Sequence, residues 1–132
     1  MIVSKEVSTE VEAAIRRLLA RYSQLVDDGD FEAAAELFCD DARFICLGEE
    51  TKGRGAIHRL LANRTNGTTL HQVTNIVASN GSHDGTYHSV SDVAVNSKRE
   101  DVWLQTFAGR YHDTFVGTGR NMRFSQRILT GR

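Results

Sequence analysis

Apolar residues near the start of the chain recur at intervals of three and four, which is typical of one face of an amphipathic helix. The residues on this face are Val11, Ile15, Leu18, Tyr22 and Leu25. Ser8 or Thr9 can cap the start of this helix, and Gly29 can end it. Asp30 then stands where an N-cap is needed for a second helix across "FEAAAELF". The chain is therefore predicted to begin with two helices joined by a tight turn.

The pattern changes twice further along the chain. "ARFICL" predicts a short strand after a turn at Asp40–Asp41, and "AIHRLLANR" predicts a third short helix. From Thr69 onward, segments rich in β-branched and aromatic residues are separated by turns with glycine and asparagine. These segments are "TLHQVTNIVAS", "TYHSVSDVAV", "VWLQTFAGRYHDTF" and "MRFSQRIL". Helices followed by a meander of long strands predict one α+β domain over residues 1–132, with the helices on one face of an antiparallel sheet.

Composition narrows the class of protein. The 132 residues carry a formal net charge of -1, so no strong overall field points to nucleic acid or to an anionic membrane. The N-terminal stretch lacks an apolar signal core, and no apolar run approaches the roughly 20 residues needed to cross a bilayer. Cys39 and Cys46 imply no disulfide framework without a secretory signal. We therefore expect a cytoplasmic protein with no nucleic-acid or membrane partner.

Strand alternation sorts the residues that could carry chemistry. One predicted strand face holds His71, Val73, Asn75 and Val77. On the longest predicted strand, one face holds Trp103, Phe107, Gly109, Tyr111, Asp113 and Phe115. Gly109 leaves room beside the rings of Phe107 and Tyr111. A curved sheet with small residues on its concave side, closed by helices, predicts a pocket.

Two acids, Asp27 and Asp28, stand at the end of the first predicted helix, where the helix dipole disfavours carboxylates. Asp28 is interpreted as a solvated turn residue. Asp27 is either solvated as well or held for chemistry, because a carboxylate beside a histidine such as His71 orients the ring as a proton acceptor. The residues alone favour a solvated Asp27 and a His71 whose ring nitrogens are hydrogen-bonded within the sheet. Tyr22 and Tyr111 can each either reach a pocket or satisfy a buried polar group.

No motif predicts a metal ion or an organic cofactor. His83, Asp84 and His88 lie in "SHDGTYH", whose place in a hairpin turn predicts solvent exposure and whose spacing matches no zinc pattern. "GRG" at 53–55 lacks the third glycine and the preceding strand of a dinucleotide fingerprint. The sequence also holds no phosphate-binding loop and no nucleophile elbow.

The order of several motifs along the chain resembles a known family. "LLARYSQLVDDGDFEAAAELFCDDARF", "KGRGAI", "LHQVTN", "GRYHDTF" and "MRFSQR" together resemble the SnoaL-like, polyketide cyclase-like branch of the nuclear-transport-factor-2-like superfamily. The resemblance covers nearly the whole chain as a single SnoaL-like domain. It implies a cone-shaped, strongly curved mixed or antiparallel sheet enclosing a deep pocket, closed by three N-terminal helices in a cystatin-like α+β barrel.

The resemblance also implies roles for particular residues. Scytalone dehydratase and hexachlorocyclohexane dehydrochlorinase use an Asp–His pair whose positions match Asp27 and His71, and an asparagine of the dehydrochlorinase matches Asn75. The catalytic tyrosine of ketosteroid isomerase corresponds to Tyr22. The general-base aspartate of that isomerase falls at Cys46, so its mechanism is not expected here. The second pocket histidine of the dehydratase falls at Ala94, so the full dehydratase set is absent too.

The family comparison favours cofactor-independent acid–base catalysis of a lyase or dehydratase, isomerase or cyclase type on a small, apolar, cyclic substrate. Asp27, His71 and Tyr22 are the predicted catalytic residues. The residues expected to contact the substrate are Asn75, Trp103, Phe107 and Tyr111. Two alternatives stay open, namely a non-catalytic small-molecule-binding module and the small subunit of a ring-hydroxylating dioxygenase. By analogy with the fold, the chain is expected to form a homodimer or a homotrimer.

Overall fold

The computed structural model describes residues 6–64 and 67–132. Residues 1–5 and 65–66, which the predicted domain includes, lie outside the described residues. The helices are α1 (Thr9–Asp27), α2 (Phe31–Ala35) and α3 (Arg54–Arg64), with a short 3-10 helix at Gly119–Asn121. The strands are β1 (Phe38–Cys46), β2 (Glu49–Lys52), β3 (Thr69–Asn80), β4 (Thr86–Arg99), β5 (Val102–Val116) and β6 (Arg123–Gly131). Among the described residues, no helix is long and apolar enough to cross a membrane.

The six strands form one mixed sheet in the order β2-β1-β6-β5-β4-β3. β1 runs parallel to β6, and the other neighbouring pairs are antiparallel. The α+β class with three helices and a curved sheet is confirmed. The sheet is not a closed barrel, because β2 and β3 form its two edges and do not pair with each other. The third helix follows two strands, β1 and β2, of which only the first was predicted from the sequence.

Side-chain caps explain where the first two helices begin. The Ser8 hydroxyl accepts a hydrogen bond from the Val11 amide at 3.2 Å, and Asp30 Oδ1 accepts one from the Ala33 amide at 3.2 Å. Each cap satisfies an amide that has no partner inside its helix. Gly29 follows α1 at a φ of +77°, which glycine adopts without strain. The predicted caps and the turn between the helices are thus confirmed.

The second helix is shorter than predicted, and β1 is correspondingly longer. α2 ends at Ala35, and Phe38 already pairs with Phe124 of β6. The predicted turn at Asp40–Asp41 is wrong, because both residues lie within β1 where its register against β6 shifts between Phe38 and Arg43. Pairing with a strand distant in sequence therefore overrides the local helix and turn preferences of this segment.

The core lies between the apolar face of α1 and the inner face of the sheet. Its centre is a group of aromatic rings with neighbouring centroids 4.9 to 5.9 Å apart. These rings belong to Tyr22, Phe38, Phe44, Phe115 and Phe124. Full burial of each apolar side chain contributes about 1.5–3 kcal/mol, so this cluster fixes α1 firmly on the sheet.

Two irregularities in the sheet reverse which side chains face inward. In β3 the register shifts between Thr74 and Val77, and Asn75 adopts a left-handed φ of +55°. In β5 the register shifts at Thr106, so Phe107 pairs with Val95 whereas Gln105 pairs with Asn96. Each extra residue interrupts the alternation of side chains along its strand. Residues on opposite sides of a bulge therefore do not share the face that simple alternation predicts.

Candidate active site

A cavity of about 340 Å³ lies between α1, α3 and five of the six strands. It is lined mainly by aromatic and aliphatic side chains, with a few polar groups among them. Its lining includes Tyr22, Cys46, Arg64, Thr69, His71, Phe107 and Tyr111. A mostly apolar cavity with a few polar groups of fixed position is typical of a small-molecule site.

His71 lines this cavity and contacts Asp27, which lies behind it and does not line the cavity itself. His71 Nδ1 lies 2.6 Å from Asp27 Oδ1, although the two residues are 44 positions apart in the sequence. Both side chains are largely buried, with 15% of the His71 side chain and 11% of the Asp27 side chain exposed. With Asp27 ionised, this contact places the ring proton on Nδ1. Nε2 is then the acceptor nitrogen, and it has no hydrogen-bond partner among the described residues.

Three hydrogen bonds hold the Asp27 carboxylate at the unfavourable end of α1. Besides the His71 ring, the His71 amide donates to Oδ2 at 2.8 Å, and the Thr69 hydroxyl donates to Oδ1 at 3.0 Å. Bonds to a charged acceptor contribute about 1.5–3 kcal/mol each, which exceeds the roughly 0.3–1 kcal/mol cost of a carboxylate at a helix C-terminus. Asp28, by contrast, is the exposed C-cap of the helix. The two neighbouring acids thus have different environments.

Tyr22 of α1 and Tyr111 of β5 are both buried and both line the cavity. Neither phenol hydroxyl has a hydrogen-bond partner among the described residues. Burial raises the pKa of Tyr22 and of Tyr111, and nearby Arg127 opposes that shift without cancelling it. Both phenols therefore stay protonated near neutral pH and can act as hydrogen-bond donors toward a ligand.

A buried ion pair lies behind the two tyrosines. Arg127 Nε is 3.0 Å from Asp113 Oδ1, and both side chains are 0% exposed. The guanidinium carbon lies 3.4 Å from the ring centroid of Tyr111 and 4.4 Å from that of Tyr22. A cation over an aromatic face is attracted by the ring quadrupole. Arg127 therefore fixes both rings from behind.

Two of the predicted substrate contacts lie away from the cavity. The β3 bulge turns Asn75 outward, where its side-chain amide donates to Asp92 Oδ2 at 2.9 Å. The β5 bulge removes Trp103 from the face of Phe107, and its side chain is 47% exposed. Neither residue is among those that line the cavity, whereas Phe107 and Tyr111 are. The predicted shared faces of β3 and β5 are therefore wrong beyond each bulge.

Thr69 and Arg64 are polar cavity residues that had not been assigned to the site from the sequence. Thr69 stands two residues before His71 on the same face of β3, so strand alternation carried the signal for it. Arg64 at the end of α3 donates from Nη1 to Cys46 Sγ at 2.7 Å and lies 3.8 Å from Glu49. No local pattern relates Arg64 to Cys46, because the contact depends on how α3 packs against β1. Arg64 places a cation at the cavity wall.

Residues 6–64 and 67–132 hold no cluster of side chains suited to a metal ion. In that part of the chain, no three residues among His, Cys, Asp and Glu are grouped as a metal site would require. His88, from the motif considered in the sequence, contacts the Thr114 hydroxyl through Nδ1 at 3.2 Å.

The curved α+β fold and its cavity define a protein of the nuclear-transport-factor-2-like class. The SnoaL-like domain family matches residues 7–128, and the chain belongs to that family. The family that the sequence motifs resemble is thereby confirmed. A comparison with curated proteins gave no match.

Solved structures from Novosphingobium aromaticivorans share the fold. One is an NTF2-like protein with a cystatin-like fold, at 25% identity and a TM-score of 0.74, covering 91% of this chain and 80% of that one. Another, named as a candidate scytalone dehydratase, has 23% identity, a TM-score of 0.76 and coverages of 92% and 83%. A third is the beta subunit of a candidate aromatic-ring-hydroxylating dioxygenase, with 21% identity, a TM-score of 0.80 and coverages of 96% and 92%. Proteins with different activities thus share this architecture.

Proposed function

We propose that this protein is a cofactor-independent acid–base enzyme, a lyase, isomerase or cyclase that acts on a small, mostly apolar, cyclic substrate. The observation that carries the proposal is the 2.6 Å contact of Asp27 with His71, which lines a cavity that Tyr22 and Tyr111 also line. A histidine oriented by a carboxylate is a common general base, and protonated phenols are suitable donors to a developing oxyanion.

The proposed reaction begins with proton abstraction. His71 Nε2 takes a proton from a carbon beside a carbonyl group, and the electron pair of the broken C–H bond forms a C=C bond as the carbonyl becomes an enolate. Tyr22 and Tyr111 donate hydrogen bonds to the enolate oxygen. Asp27 stabilises the imidazolium through Nδ1.

The second step decides the type of reaction. In an elimination, the enolate electrons return and expel a hydroxyl group from the next carbon. That hydroxyl takes the proton from His71 and leaves as water. In an isomerisation, His71 returns the same proton to a different carbon. Both routes regenerate the neutral histidine and need no redox partner.

The cavity indicates the chemical class of the substrate. Its volume of about 340 Å³ lies near the lower end of the roughly 300–1,000 Å³ usual for ligand pockets, which suits one or two rings. Phe107 and the aliphatic lining favour an apolar ring system. Arg64 supplies a cation at the wall, so we expect the substrate to carry a second oxygen, such as a carboxylate or a phenolate, on the side facing α3.

The proposal is tested with a panel of cyclic β-hydroxy ketones, because loss of water gives a conjugated enone that absorbs in the ultraviolet. For any ketone that the protein dehydrates, His71→Ala should lower kcat/KM by about 10²-fold or more, since a positioned base typically contributes that much. Asp27→Asn should lower kcat/KM in the same direction, because the amide does not balance the imidazolium charge.

Asp28→Asn is the matched control, because Asp28 is the adjacent carboxylate and lies in solvent. It should leave kcat/KM within about twofold of the parent value, as expected for a surface change. The unfolding midpoints of all three variants show whether a loss of kcat/KM comes from the removed group or from a loss of folding. Retained turnover in a folded His71→Ala variant would exclude His71 as the base. Tight binding of a ketone that is recovered unchanged would favour the non-catalytic binding module instead.

A further inference from the structure

A second concave surface lies along the part of α1 from Ala14 to Arg21, whereas the candidate active site is lined by Tyr22 and Val26 of the same helix. It is a groove of about 400 Å³ that we call the arginine groove. Its charged residues are Arg17 and Arg21 of α1, Arg120 of the 3-10 helix and Arg123 at the start of β6. Its apolar floor is made by Ala14, Leu18, Leu37 and Met122. It shares no lining residue with the cavity that holds His71.

The four guanidinium groups of this groove lack acidic partners. Among the described residues, none of them lies within 4.0 Å of a carboxylate oxygen. Within the same described part of the chain, six other arginines do form such ion pairs. Asp41 and Arg123 shift the pKa of the Cys39 thiol in opposite directions, Asp41 raising it and Arg123 lowering it, yet the two side chains form no ion pair with each other. The groove therefore concentrates unbalanced positive charge on a chain whose net charge is -1.

The backbone positions part of this charge. Arg17 and Arg21 are four residues apart on α1, so their side chains project from the same side of the helix. The Arg123 guanidinium donates to the backbone carbonyls of Arg120 at 3.1 Å and Met122 at 3.2 Å. Arg123 is thus held at the rim of the groove. The positive charges of the four arginines are kept close together, and they repel one another. A bound anion would relieve that repulsion.

We propose that the arginine groove binds a small organic phosphate, either a phosphate ester or a diphosphate with an apolar body. Guanidinium groups match phosphate oxygens with paired hydrogen bonds and keep their charge at any physiological pH. Four cations also suit an anion with two or more negative charges better than they suit a single carboxylate. The apolar floor of Leu18 and Met122 provides a surface for the organic part of such a ligand.

A nucleic acid is the less favoured partner. Proteins that bind the phosphate backbone of a nucleic acid spread their cations along a groove or face, and the binding domain is usually strongly basic. Here the four arginines converge on one concavity, and the chain as a whole carries sixteen basic and seventeen acidic residues. The geometry fits a compact anion rather than an extended strand.

The probe for this proposal is inorganic pyrophosphate, measured by titration calorimetry in a buffer free of phosphate, sulfate and divalent metal ions. The full chain should bind about one equivalent. Arg17→Gln with Arg21→Gln should weaken binding at least about tenfold, because two of the charge-assisted contacts are removed. Arg17→Gln with Arg120→Gln should have the same effect, so the conclusion does not depend on one variant folding well.

Arg16→Gln with Lys52→Gln is the matched control, since it removes the same two charges from exposed positions outside the groove. It should keep the pyrophosphate affinity within about twofold, as expected for surface changes away from the site. Thermal unfolding adds a second readout: pyrophosphate should raise the midpoint of the parent and the control but not of the groove variants. Absence of binding, equal losses in control and groove variants, or tighter binding of a thymidine oligonucleotide than of pyrophosphate would each overturn the proposal.

Discussion

Arg127 is a fully buried cation enclosed by aromatic rings and one carboxylate. Its guanidinium faces Tyr22, Tyr111 and Phe124, and its ion-pair partner is Asp113. Burial of such a pair carries a large desolvation cost that mutual attraction offsets only in part. Apolar side chains would fill the same space at a lower desolvation cost. The presence of Arg127 is therefore consistent with a role in positioning the two tyrosines.

The pair makes stability depend on pH. Burial raises the pKa of Asp113 from 3.8 to about 6, although the charge of Arg127 acts against that shift. Between these two values the folded protein binds more protons than the unfolded chain, so the free energy of unfolding must fall as pH rises. The loss begins near pH 3.8 and is complete above pH 6, and a shift of this size corresponds to a loss on the order of 3 kcal/mol.

A variant without the charges supplies the comparison for this pH dependence. Asp113→Leu together with Arg127→Met replaces the ion pair by apolar side chains, a change that is often neutral or stabilising. Urea unfolding of both proteins from pH 4 to pH 7 measures the difference in stability. The parent should lose stability relative to the double variant across this range. Parallel curves would show that Asp113 keeps its ordinary ionisation when folded.

Sequence reasoning reached some site residues and missed others for identifiable reasons. Asp27 and His71 were paired through the family resemblance, since residues 44 positions apart show no local pattern that joins them. Tyr22 and Tyr111 were placed by helical spacing and strand alternation. Arg64 and Arg127 were not given roles, because their contacts exist only after distant elements have packed. No charge pattern in the sequence distinguishes a buried arginine from a solvated one.

At the scale of the elements, the existence and type of nearly every helix and strand followed from periodicity. The exceptions are short or irregular. β2 has only four residues and was not predicted, and α2 gave way to β1 because Phe38 pairs with β6. The bulges at Asn75 and Thr106 were also not predicted from the sequence, since a single extra residue barely changes the composition of a strand.

β5 passes close to β6 at Gly109, where the sheet has no room for a side chain. A Cβ at this position would lie 2.5 Å from the Phe107 ring and 2.6 Å from the Thr130 carbonyl oxygen. Gly109→Ala should therefore lower the free energy of unfolding by about 1–3 kcal/mol, as overpacking does, and should displace Phe107 at the cavity wall. Urea unfolding measures the first effect.

The cross-strand partner of Gly109 supplies the control for that substitution. Gly131 pairs with Gly109 in the register of β5 and β6, and a Cβ there would meet only the Leu47 side chain at 3.9 Å. Gly131→Ala should therefore leave the urea midpoint nearly unchanged. Equal effects of the two substitutions would mean that the cost comes from the loss of glycine rather than from the contact with Phe107.

At the scale of the whole molecule, large apolar side chains remain exposed on the sheet. Val77 is 67% exposed, and Trp103 lies between two other exposed residues, Val102 and Leu104. Large apolar side chains left exposed in this way can be covered by a protein–protein contact. We propose that copies of this chain associate through the strands that carry these residues, as the family resemblance led us to expect.

Light scattering coupled to gel filtration tests this association. The parent should elute at a multiple of the 14.7 kDa chain mass, and Trp103→Glu should shift the population toward monomer, because a charge at an apolar contact is costly. Gln24→Glu adds the same charge on the exposed side of α1 and should leave the mass unchanged. A monomeric parent at high concentration would contradict the proposal.

The place of β6 in the sheet has a consequence for folding during synthesis on the ribosome. β6 is synthesised after the other five strands, yet it lies between β1 and β5, and it carries both Arg127 and the cavity residue Leu129. Until it leaves the exit tunnel, β1 and β5 each expose an unpaired edge of the kind that invites aggregation. The cavity therefore cannot be completed before β6 has been synthesised and has paired with both neighbours. A chaperone that shields these edges would act just before the last strand inserts.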